Sequence, residues 1–96
     1  MDIDKRLQAK RRHILRAAAR HGASNIRVFG SAARGEATEE SDVDFLVDVE
    51  PRHSAWFPVG LVADLEELLD CKVDVVTEES LHWYIRDRVL EEAVPL

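Results

Sequence analysis

Apolar and polar positions alternate with two different periods along the chain, and the places where the period switches mark its elements. Over residues 3–21, Ile3, Leu7, Ile14, Leu15 and Ala18 return near the helical repeat and Gly22 follows as a stop, which predicts an opening helix. Residues 25–29 (NIRVF) form a short β-type run that ends at Gly30-Ser31, after which Ala32-Ala33-Arg34 can open a brief helical turn before Gly35. A second strand is predicted over 44–49 (DFLVDV). Side chains alternate across a strand, so entry at Asp42 sets Asp42, Asp44, Leu46 and Asp48 on one side and Val43, Phe45, Val47 and Val49 on the other. Pro51 ends the run.

Helical spacing returns over residues 56–69 through Leu61, Val62, Leu65, Leu68 and Leu69. A third strand follows over 72–77 (KVDVVT), where Thr77 can cap what comes next. Leu81, Ile85 and Val89 mark a last helical region before Ala93-Val94-Pro95-Leu96. The order helix, strand, helical turn, strand, helix, strand, helix predicts an α/β (α+β) fold, with a small mixed sheet backed by helices.

Composition narrows the setting. The 96 residues are 46% hydrophobic and 33% charged, which predicts a single compact soluble domain over 1–96. One cysteine, Cys71, excludes an internal disulfide and a cysteine metal cluster. No apolar run approaches the roughly 20 residues of a membrane span, and no signal peptide is visible, so the expected compartment is the cytoplasm and no membrane partner is expected.

The net charge of -6 is unevenly spread. The first 21 residues hold seven Lys or Arg against two Asp, whereas 36–50 hold seven acids and no base. Lys5, Lys10, Arg11, Arg12, Arg16 and Arg20 are read either as a solvated helix face or as a contact surface for an acidic partner. The acidic balance argues against general nucleic-acid binding, which needs cations to displace counterions from phosphate.

The chemistry is concentrated in Gly30-Ser31, a gap of ten residues, and Asp42-Val43-Asp44. Gly30 lets backbone approach a ligand with no Cβ in the way, the N–H groups of the following helix start favour phosphate oxygens, and Ser31 adds a hydroxyl. No Walker A pattern is present. Asp42 and Asp44, two apart on a strand, point the same way, and a divalent cation between them relieves their repulsion most simply. Oxygen ligands in a nucleotide enzyme indicate Mg²⁺. Asp74 lies among Val73, Val75 and Val76, where an unpaired charge is costly and a neighbouring strand carrying the other two aspartates would explain it. Three acids around two ions suit in-line displacement at phosphorus. Arg34 is read as a phosphate contact or as a surface arginine. His13, His21, His53 and His82 show no ligand spacing; Trp56, Trp83 and Tyr84 are read as core or interface anchors, or as a base-stacking surface.

Gly30-Ser31-x10-Asp42-x-Asp44 with Asp74 on a later strand resembles the signature of the DNA polymerase β-type nucleotidyltransferase superfamily. VFGSAARGEATEESDVDFLVDV is similar to the minimal nucleotidyltransferase antitoxins, and the likeness runs from Ile3 to the end. The resemblance implies a small mixed sheet backed by helices, with Asp42 and Asp44 binding both Mg²⁺ ions. Asp74 would then bind the catalytic ion and help deprotonate the nucleophile. It further implies a partner, a helical HEPN-domain ribonuclease toxin, neutralised by transfer of AMP from ATP to one of its tyrosines. Two other readings stay open: an antitoxin that acts by steric binding alone, and a transferase acting on a small molecule or an RNA end.

Overall fold

The computed structural model describes residues 5–36 and 42–96, and no helix among them is long and apolar enough to cross a membrane. The expected helix start at Ile3 lies outside the described residues, as do Glu39 and Glu40. The elements are α1 (Lys5–Arg20), β1 (Ala23–Phe29), α2 (Ser31–Arg34), β2 (Val43–Val49), α3 (Val59–Leu69), β3 (Val73–Val76), a single 3-10 turn (Glu78–Ser80), α4 (Trp83–Glu92) and β4 (Val94–Pro95). This is the mixed α+β architecture that the hydrophobic pattern predicts.

The strands form one sheet in the order β3-β2-β1-β4. β1 is antiparallel to both β2 and β4, and β2 is parallel to β3. Parallel neighbours need a crossover, and α3 supplies it. One side of the sheet is closed by α1 and α3: Leu7, Ile14, Ala17, Leu61 and Leu65 pack with Val28, Val43, Phe45, Val47, Val73 and Val75 in one core. The alternate residues Asp44, Leu46, Asp48 and Asp74 therefore belong to the other side.

That second side is covered in part by the chain after β3. Glu78 reaches Arg86 of α4 at 3.6 Å and Arg27 of β1 at 3.8 Å, and Arg27 in turn holds Asp48 at 2.9 Å. Leu46, expected beside the acids, is consequently buried under that cover, while Val49 at the strand end is exposed. Thr77 does act as a cap, accepting from Ser80 N at 3.2 Å, although the element it starts is the 3-10 turn and not α4.

Some boundaries differ from the sequence expectation for local reasons. β1 begins two residues early because a bulge at Asn25, whose φ is 49°, breaks the register between Ser24 and Arg27 and lets pairing resume. α3 begins at Val59 and not near Trp56, since a turn at Ser54 and then Pro58 precede it. Trp56, Trp83 and Tyr84 are all outside the core, at 75%, 80% and 67% exposure, which removes the core reading of these aromatics. The terminal AVPL stretch adds β4, an edge strand too short to show as alternation.

Candidate functional site

The register of β2 brings the candidate acids together. Asp44 is opposite Phe29 of β1 on one side and opposite Asp74 of β3 on the other, so two carboxylates from sequence-distant strands stand side by side. Adjacent strands lie about 4.8 Å apart, close enough for strong mutual repulsion. Asp42 stands one residue ahead of β2, anchored by the Val43 N–H donating to Lys72 O at 3.0 Å. β1 runs out of Phe29 directly into Gly30, which places the Gly30-Ser31 turn just past Asp44.

Gly30 has φ 74° and ψ -152°, a conformation that L side chains avoid. A Cβ there would stand 2.7 Å from Asp44 Oδ2. The glycine thus makes room for the Asp44 carboxylate itself, a reason for it that the sequence did not reveal. α2 starts immediately afterward, with Ala33 and Arg34 N–H both donating to Gly30 O. The N–H groups ahead of them at a helix start have no intrahelical partner.

Electrostatics confirm the crowding. Partial burial pushes the Asp44 carboxyl above its usual range, and the charges of Asp74, then Asp42, then Glu92 push it further. Glu92, at the end of α4, enters the site although nothing local in the sequence marks it. Arg34 meets it there: its Nε donates to Glu36 Oε2 at 3.1 Å and its Nη1 donates to Glu92 Oε1 across 58 positions of chain. Hydrogen bonds to Glu36 and then Glu92 raise the Arg34 pKa. Asp74, expected to be a charge enclosed by valines, is solvent-exposed while Val73 and Val75 are buried. Its strand neighbour is the expected one, but burial is not what it has to offset.

The donor set fits a hard divalent cation such as Mg²⁺: carboxylate oxygens only, with the central one already held against its neighbours' repulsion. Among the described residues no three such groups converge on one point as they stand.

Asp44 also makes stability depend on pH. Because its folded pKa is raised, its contribution to stability is fully present below the unfolded value, about 3.9, and is lost as pH rises through the folded one. In excess chelator, Asp44→Asn is expected to melt above the wild type at about pH 7 and to lose that advantage toward about pH 4. Parallel melting curves across that range would remove the cause assigned to the shift.

A phosphate-type turn set against paired carboxylates on a mixed sheet defines a class, the enzymes of nucleotidyl transfer. The chain belongs to the nucleotidyltransferase domain family, whose model matches residues 10–96. It is 48% identical over 75 residues to the protein adenylyltransferase MntA of Thermococcus cleftensis, covering 78% of this chain and 76% of that protein. A solved structure of a candidate minimal nucleotidyltransferase superposes with a TM-score of 0.83 at 46% identity, covering 98% of this chain and 97% of the other. A mutant of the toxin–antitoxin complex MntA-HpeT superposes with a TM-score of 0.69 at 26% identity, covering 93% of this chain and 70% of that one.

Proposed function

We propose that the chain is a Mg²⁺-dependent antitoxin that transfers AMP from ATP to a tyrosine of a HEPN-type ribonuclease toxin. The observation that carries this reading is the pairing of Asp44 with Asp74 beside the Gly30-Ser31 turn. Asp42, Asp44 and Asp74 would hold the ions, and Mg²⁺ when bound supplies charge neutralisation for the triphosphate and a lowered pKa for the attacking hydroxyl. Gly30 and Ser31 admit the phosphates, and Arg34 adds a cation to a rim that is otherwise acidic. Relatives named protein adenylyltransferases and a toxin–antitoxin neighbour support a protein acceptor.

The side of approach follows from the fold. Among the described residues the strands form one sheet and no separate lobe stands beside it, which supports an acceptor protein that positions its own hydroxyl. Asp74 is exposed on the edge strand β3, and α4, on the same side of the sheet, carries exposed Trp83 and Tyr84. Of the two docking surfaces expected from the sequence, α4 shares the acid side, whereas the basic residues of α1 lie across the sheet.

Incubation with the cognate toxin, ATP and Mg²⁺ is expected to add one or more increments of about 329 Da to the toxin, on tyrosine by peptide mass spectrometry. Ribonuclease activity should fall in step with the modification. A silent nuclease in a stable complex of unchanged mass would replace this reading with the steric one.

A further inference from the structure

We infer that Glu92 is a positioning residue for the nucleotide: together with Glu36 it grips two edges of the Arg34 guanidinium and leaves Nη2 to take a phosphate oxygen. The inference rests on the nucleotide-binding part of the reading above and adds to it a residue from the far end of the chain.

Arg34 is the last residue of α2, three positions after Ser31, so its side chain starts beside the phosphate-type turn. Its Nε goes to Glu36 and its Nη1 to Glu92, while Nη2 has no hydrogen-bond partner among the described residues. A guanidinium is a rigid planar fork, so fixing two of its three nitrogens fixes the direction of the third. Glu92 is the firmer of the two holders, with 23% of its side chain exposed against 63% for Glu36.

The placement also argues against an incidental surface pair. Exposed ion pairs contribute little, about 0–1 kcal/mol, and can be placed anywhere on a surface. This one joins Glu92 at the end of α4 to Arg34, three residues past Ser31 of the phosphate-type turn. Holding a cation at the rim of the acid cluster, where an anionic triphosphate must arrive, accounts for it.

Calorimetric titration of ATP with excess Mg²⁺ into the wild type, Glu92→Gln, Arg34→Met and the double variant tests the inference. Each single change is expected to weaken ATP binding on the order of tenfold. The double variant should bind no more weakly than Arg34→Met alone, because Glu92 acts through Arg34. In turnover with the acceptor, Glu92→Gln should raise KM for ATP and leave kcat near the wild-type value at saturation. Losses that multiply in the double variant, or tighter binding in Glu92→Gln, would overturn the inference.

Exchange of the pair, Arg34→Glu with Glu92→Arg, separates positioning from a structural tie. It should recover melting temperature lost by either single change but not ATP affinity, and recovery of both would overturn the inference. If Arg34→Met binds ATP as the wild type does, the inference fails while the nucleotide site stands. If the wild type binds no ATP with Mg²⁺, the reading of the site fails and the inference with it.

Discussion

Asp44→Asn is expected to lower nucleotidyl transfer on the order of 10³-fold or more while the chain stays folded. Asp44 is the one acid with a carboxylate neighbour on the next strand, a second carboxylate two residues earlier and the Gly30 turn against its Oδ2. Neutralising it removes the central oxygen donor for a cation, and with it the charge that draws the cation in. The fold should tolerate the change, since Asn has the same shape and relieves repulsion instead of breaking a bond. Asp48→Asn makes a suitable control: Asp48 shares the strand side but is engaged with Asn25 and Arg27 and takes no part in the acid cluster, so transfer should be nearly unaffected. The measurement is incorporation of labelled AMP into the acceptor, alongside melting curves for both variants. More than a tenth of wild-type transfer in Asp44→Asn would remove Asp44 from the centre of the mechanism.

Asp74→Asn should separate chemistry from binding. Asp74 stands on the exposed edge of the sheet, away from the Gly30-Ser31 turn on the opposite flank of β2, and therefore on the side from which an acceptor hydroxyl can arrive. On the proposed reading, a group in that place would assist the nucleophile more than hold the triphosphate. ATP affinity is expected to stay within a few-fold of the wild type, while turnover falls on the order of 10²-fold. Equal losses in both would make Asp74 a plain nucleotide or metal ligand.

The three aspartates were legible in the sequence because each has a local signature: Asp42 and Asp44 through their spacing, and Asp74 as a carboxylate between valines. Their meeting could be anticipated because a strand–helix–strand unit makes parallel neighbours of β2 and β3. The valine argument for Asp74 was nonetheless incomplete, since period-2 alternation lets a strand bury Val73 and Val75 and still expose what lies between them. Glu92 was not legible at all. It is one glutamate in a helix of mixed charge, and only the return of α4 across the sheet, secured by the two-residue β4, carries it to Arg34. Gly30 was identified as a site residue, but its steric reason appears only when β1 and β2 are aligned and Asp44 Oδ2 is found in the space a methyl group would need.

The packing of α1 against the side of the sheet away from the acids has an electrical consequence. α1 carries seven Lys or Arg and no acid, while the aspartate cluster lies across the sheet. α1 therefore forms a positive stripe on the back, offset in part by the acids of α3 such as Asp64 at 3.8 Å from Arg20, and the front is negative at the acid cluster. Near any extended negative surface such a dipole turns its back inward, by an attraction that acts over about 8–10 Å at physiological salt. Immobilised on an anionic matrix through α1, the domain would present its front outward, open to nucleotide and acceptor alike.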